Sequence, residues 1–172
     1  IYIAGVNTGL AKLAGETAQG FHAHPLHSRR YLDEIVTPAI RQGAEKAGRA
    51  PSEIKLSISA FAATTPEEAF FVRSQIAFYA STPSYRAVLA LHGWQEVAER
   101  LSGLAARGQW AEMPALISDE MLHAFCVVAP PGELAAALHE RYAGVADHLM
   151  LYLPYFPGER DSFWAALLKA DS

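Results

Sequence analysis

With 172 residues, 51% of them hydrophobic and 19% charged, the chain has the make-up of a globular unit with material for one sizeable core. A formal net charge of −4 and a pI near 6.0, with no basic stripe, argue against nucleic acid as a partner. No apolar run reaches the ~20 residues of a membrane helix, and no signal-peptide pattern is recognisable. The single cysteine, Cys126, lies in the apolar run Phe125-Cys126-Val127-Val128, so a reduced, buried thiol and a cytoplasmic setting are expected.

Ile1 to Ala4 reads as a short apolar strand of the kind buried on both faces. Because the chain opens inside such a strand, with neither methionine nor polar lead-in, further residues upstream are expected. Gly5-Val6-Asn7-Thr8-Gly9 turns the chain into a helix with Leu10, Leu13, Ala14 and Ala18 on its apolar side. Phe21-His22-Ala23-His24 is a second strand, broken by Pro25, and Ser28 is placed to cap a long helix running to about Gly48. From Ile54 to Ala62, apolar residues alternate with Lys55, Ser57 and Ser59, which predicts a third strand with one small polar face. Thr65-Pro66-Glu67-Glu68 starts a helix: a hydroxyl cap, proline at the first helical position and acids in the first turn.

Ser81-Thr82-Pro83-Ser84 interrupts that helix, and shorter helical segments follow over Tyr85–Leu91, Gln95–Ala106 and Ser118 to about Phe125. Pro130-Pro131-Gly132 opens another helix through Tyr142, Ala146 to Leu153 is a fourth strand, and Asp161 to Lys169 a terminal helix. Four strands alternating with helices, with an α-helical insertion after the third, imply an α/β fold with parallel pairing through right-handed crossovers. Four such units are half of a (β/α)8 barrel, which takes ~250 residues. A doubly wound sheet shows the same alternation, so the pattern alone leaves both open. No linker or repeat divides residues 1–172, which read as one domain or part of one.

Three stretches carry candidate chemistry. In Gly5-Val6-Asn7-Thr8-Gly9, glycines let backbone approach a ligand and a helix start offers free amides to phosphate; the plainer reading is an ordinary βα turn. His22 and His24 fall on one side of a strand at its C-terminal end, where barrel active sites lie. Two imidazoles begin a metal site, yet no Asp, Glu or Cys stands nearby to complete it, so they are assigned to a ligand mouth. A metal-dependent hydrolase using His22 and His24 is the alternative, and His27 is left to the loop. Aromatics and hydroxyls concentrate from Gln75 to Arg86, and Gln75, Tyr79 and Tyr85 are the candidate substrate wall or lid, against a core-packing role for Phe78 and Tyr79.

His92, His123 and His139 read as surface or satisfied core residues, and Trp94, Trp110 and Trp164 as packing anchors. Asp147 and His148 begin the last strand, near the face that confers stability. No serine elbow, Cys/His pair or Walker loop is present, and no catalytic residue is assigned.

Ile1 to Glu16, followed by Gln19-Gly20-Phe21, resembles the strand, small-residue turn, LAGE-type helix and second strand of luciferase-like oxidoreductases. Ile76-Ala77-Phe78-Tyr79-Ala80-Ser81-Thr82-Pro83, Leu91-His92-Gly93-Trp94 and Ile117-Ser118-Asp119-Glu120 are similar to the branch of that superfamily that uses coenzyme F420. The resemblance implies the C-terminal half of a TIM barrel, strands five to eight. It also implies a deazaflavin, or alternatively FMN, lying across the C-terminal strand ends, with hydride transfer at C5 to or from an unidentified small organic substrate. The cofactor phosphate is then expected near Gly5, Val6, Asn7, Thr8 and Gly9, with His22 and His24 at the pocket opening. Gln19 departs from the family, which carries an acid there. The family also draws contacts from four earlier strands that this chain does not contain. Four strands cannot close, so the chain is expected to be inactive alone and either to self-associate or to pair with an N-terminal half. A non-catalytic half-barrel module is the remaining alternative.

Overall fold

Parallel strands form one sheet in the computed structural model, which describes residues 1–169. They are β1 (Tyr2–Gly5), β2 (Gly20–Ala23), β3 (Lys55–Ala63), β4 (Cys126–Val128) and β5 (His148–Leu151), with β1 beside β2 and β2 beside β3. The nine-residue β3 also pairs with two later strands along its length. Ser57 pairs in register with His148 of β5, and further along Phe61 pairs with Cys126 of β4. The sequence predicts four strands; β4 is the addition. It has three residues and follows helical Phe125 directly, so no turn signal announces it.

Register puts Ala4, His22, Ser57 and His148 side by side on one face, and Ile3, Phe21 and Leu56 on the other. Phe21, Leu56 and Ile58 are buried beneath helices, whereas Tyr2 and Met150 on the first face are 43% and 52% exposed. A doubly wound sheet carries helices on both faces. Here the helices keep to one side, as in the wall of a (β/α)8 barrel whose inner face is open. β1 is therefore not buried on both faces as its composition implies: it is an edge strand, with Ile1 91% exposed.

Helix α1 (Thr8–Thr17) packs on α3 (Thr37–Lys46) at two glycines. A Cβ on Gly15 would stand 2.2 Å from the Ile40 carbonyl oxygen, and one on Gly43 2.0 Å from that of Lys12. The long helix expected from Ser28 is not uniform. Ser28 does cap it, its Oγ accepting from the Tyr31 amide at 3.0 Å, but α2 (Arg29–Tyr31) passes into a π-helical stretch, Leu32–Val36, before α3. Pro38 explains this: it lacks an N–H and crowds the carbonyl four residues back, and a wider turn absorbs both.

Helix α4 (Pro66–Ala80) starts as expected, with Thr65 Oγ1 accepting from the Glu68 amide at 3.2 Å. The insertion then runs through a 3-10 turn (Pro83–Tyr85), α5 (Arg86–Leu91), α6 (Gln95–Ala106), a second 3-10 stretch (Trp110–Leu116) and α7 (Asp119–Phe125). α8 (Leu134–Tyr142) begins later than Pro130, and α9 (Asp161–Lys169) ends the described fold. Trp110 is not a packing anchor: it is half exposed, beside Phe78. The Cys126 thiol is fully buried, and burial pushes its pKa up to about 12, which leaves it inert. No helix among the described residues is long and apolar enough to cross a membrane.

Candidate functional site

Because the strands are parallel, the segments that follow them share one end of the sheet, the mouth. The Gly5–Asn7 turn lies there, and each of its carbonyls is engaged. Gly5 O accepts from the His24 amide (3.0 Å), Val6 O from the Tyr31 hydroxyl (3.1 Å) and Asn7 O from the Ala11 amide (3.2 Å). Asn7 occupies the cap position of α1 in extended conformation, yet its side chain does not cap. Its Nδ2 instead donates to the Ser84 carbonyl, 3.2 Å away. The first amides of α1 are thus left open in a stretch, Asn7 to Leu10, that is solvent-exposed. Gly9 faces open space, so packing does not demand a glycine there.

His24 stands next to this turn. Its Nδ1 accepts from the Leu26 amide at 3.1 Å, and its Nε2 lies 3.1 Å from the Tyr85 hydroxyl. A backbone amide can only donate, so Nδ1 carries no proton and the neutral ring bears its hydrogen on Nε2. The direction is settled: His24 donates and Tyr85 Oη accepts. Burial, with help from nearby His22, lowers the His24 pKa to about 4, so the ring is uncharged at neutral pH.

Two further tyrosines complete the wall. Tyr79 meets the His24 ring edge-on at 4.5 Å between centroids, and Tyr85 lies 4.7 Å from it. The hydroxyls of Tyr79 and Tyr152 are 3.0 Å apart, and Tyr152, just past β5, also packs edge-on against Phe61 at 5.2 Å. Burial, then the Tyr152 hydroxyl, raises the Tyr79 pKa to about 12, and burial raises that of Tyr85 as well. These phenols are donors and acceptors at neutral pH, not bases.

The structure thus brings together Gly5, Val6, Asn7, His24, Tyr79 and Tyr85. Thr8 and Gly9 lie at the exposed edge of the turn, and Gln75 sits one helical turn before Tyr79, half-buried. His22 lies on the inner face of the sheet one layer deeper, its Nδ1 2.9 Å from Ser57 Oγ. Both nitrogens of His24 are engaged, and among the described residues no three His, Cys, Asp or Glu side chains gather as metal ligands. His27, left to the loop by the sequence, is fully buried, and Nδ1 donates to the His24 carbonyl at 2.7 Å. Sequence reasoning missed Tyr152, and it included Ser84 only as part of the Gln75 to Arg86 stretch. An aromatic residue directly after a barrel strand was the available signal for Tyr152.

Residues 1–148 match the family model described as luciferase-like monooxygenase. An uncharacterized protein of Mycobacterium tuberculosis strain H37Rv is 40% identical over 156 residues, 87% of this chain and 46% of that protein. The 5,10-methylenetetrahydromethanopterin reductase of Methanolobus tindarius is 30% identical over 148 residues, 81% of this chain and 44% of that one. In fold, the chain is similar to the coenzyme F420 dependent tetrahydromethanopterin reductase of Methanopyrus kandleri. There the TM-score is 0.72 at 22% identity, over 98% of this chain and 48% of that one. The chain spans about half the length of the curated relatives it matches. On sequence and architecture together, it belongs to the luciferase-like monooxygenase family.

Proposed function

We propose that this chain forms the strand-five-to-eight half of an oxidoreductase that moves a hydride between the deazaflavin coenzyme F420 and a small organic substrate. One observation carries the reading. The carbonyls of Gly5 and Val6 are tied to His24 and Tyr31 while the first amides of α1 stay open, next to an uncharged aromatic wall. Open amides at a helix start fit an anionic tail, and a wall of neutral rings fits a planar conjugated system. The name of the Methanopyrus kandleri reductase, which is similar in fold, favours F420 over FMN.

When bound, the deazaflavin supplies the redox chemistry at its C5. The chain's own residues then do three things. The turn at Asn7 to Leu10 anchors the anionic end. Tyr31, His24 and Asn7 hold that turn through Val6, Gly5 and Ser84. Tyr79, Tyr85 and Gln75 form the substrate side, shielded by the insertion.

The open inner face, with Tyr2, His148 and Met150 exposed, is where an N-terminal half or a second copy pairs in this proposal. A cytoplasmic setting goes with it. Titration with F420 and with FMN, followed by fluorescence, tests the cofactor assignment. Saturable binding of F420 is expected, and binding of FMN alone would overturn it.

A further inference from the structure

We infer that the Tyr85 hydroxyl is the hydrogen-bond donor for an uncharged substrate oxygen, a carbonyl or its reduced alcohol, and that His24 is the positioning residue that frees its proton for this role. The inference deepens the proposed function and rests on it for the identity of the neighbouring cofactor.

The chain of cause starts at Leu26. Its amide occupies the Nδ1 lone pair of His24, which leaves the hydrogen on Nε2. That hydrogen points at Tyr85 Oη, 3.1 Å away, and uses one of its lone pairs. A phenol has one proton, and here it is not spent on His24. Among the described residues no second acceptor receives it, and Tyr85 is half-buried at the mouth. Accepting a hydrogen bond also polarises the O–H and strengthens it as a donor.

The class of acceptor follows from the absence of net charge in the cluster. His24 is neutral, and Tyr79, Tyr85 and Tyr152 are phenols. In the first turn of α4, Glu68 pairs with Arg160, which precedes α9, and Thr64 donates to Glu68 from its amide (2.6 Å) and its hydroxyl (2.8 Å). None of the side chains that hydrogen-bond or stack with Tyr85 is a cation, and a carbonyl oxygen needs only one directed donor. The Tyr79–Tyr152 pair also keeps one proton, but either hydroxyl can donate to the other, so its direction is not set.

The test uses the chain labelled with 15N-histidine and 13Cζ-tyrosine, with cyclohexanone and cyclohexanecarboxylate as probes. The His24 ring spectrum is expected to report the Nε2–H tautomer. Cyclohexanone is expected to shift the Tyr85 13Cζ resonance saturably, and Tyr85→Phe to weaken its binding roughly three- to ten-fold, the worth of one neutral hydrogen bond. Cyclohexanecarboxylate is expected to bind more weakly. An Nδ1–H tautomer, tighter binding of the carboxylate, or loss of binding on Tyr152→Phe in place of Tyr85→Phe would overturn the inference. So would a Tyr85 shift produced by F420 that blocks cyclohexanone, since the donor would then serve the cofactor ring. Failure of the cofactor reading is separate: the chain then answers to cyclohexanone but not to F420.

Discussion

Asn7 reaches across the mouth to Ser84, its side-chain amide 3.2 Å from that carbonyl. This contact ties the turn assigned to the cofactor to the segment that carries Tyr85. One short polar side chain thus joins the two halves of the proposed site, at the expense of capping its own helix. Asn7→Ala is expected to cost about 1 kcal/mol or less in stability, since the bond is exposed. Hydrogen exchange at Ser84 to Arg86 should rise several-fold, because the 3-10 turn loses its outer anchor. Unchanged exchange there would show that the contact does not hold the segment.

Gly15 and Gly43 let α1 and α3 touch backbone to backbone. A methyl on either would fall within 2.2 Å of a carbonyl oxygen that cannot swing aside. Gly15→Ala and Gly43→Ala are each expected to lose ~1–3 kcal/mol, measured by urea denaturation. The double variant should lose less than the sum, because once the helices separate the second methyl finds room.

His27 makes stability depend on pH. It is fully buried, and burial lowers its pKa to about 4; the hydrogen bond to the His24 carbonyl opposes this, while His24, Arg141 and His22 add to it. The unfolded value is near 6.5. Between these values the unfolded chain binds the extra proton, so stability is complete above pH ~6.5 and falls as the pH drops towards 4. The expected loss is about 2 kcal/mol between pH 7 and pH 5. His24 contributes with the same sign. His27→Gln should flatten that profile in denaturation at the two pH values, and an unchanged slope would exclude His27 as its source.

Asp147 holds β5 against β3. Its Oδ1 accepts from Lys55 Nζ at 2.8 Å and its Oδ2 from the Leu56 amide at 2.8 Å. Partial burial pushes the carboxyl pKa up, but these bonds and the Lys55 charge outweigh it and hold it below the usual range. Asp147→Ala is expected to cost ~1–2 kcal/mol and to speed hydrogen exchange at His148 to Leu151. Protection that survives the change would place the anchor elsewhere.

The secondary structure was legible where one residue type has one job. Thr65-Pro66-Glu67-Glu68 announces its helix, and the alternation from Ile54 to Ala62 announces β3, observed over Lys55–Ala63. What escaped depends on partners remote in sequence or on features too short to repeat. β4 has three residues and no turn before it, and the π-helical stretch answers a single Pro38. Much of the candidate site was visible as a glycine-flanked turn, two histidines and the aromatic stretch that carries Gln75, Tyr79 and Tyr85. The division of labour between those histidines was not. Alternation places both on one face, but only the fold gives His22 to Ser57 and His24 to Leu26 and Tyr85.

The most direct measurement of the central claim is an amide chemical-shift map of the 15N-labelled chain during titration with F420. The predicted result is saturable shifts at the Thr8, Gly9 and Leu10 amides. Shifts confined to the outer helices, with the Gly5–Leu10 turn unmoved at saturation, would contradict it.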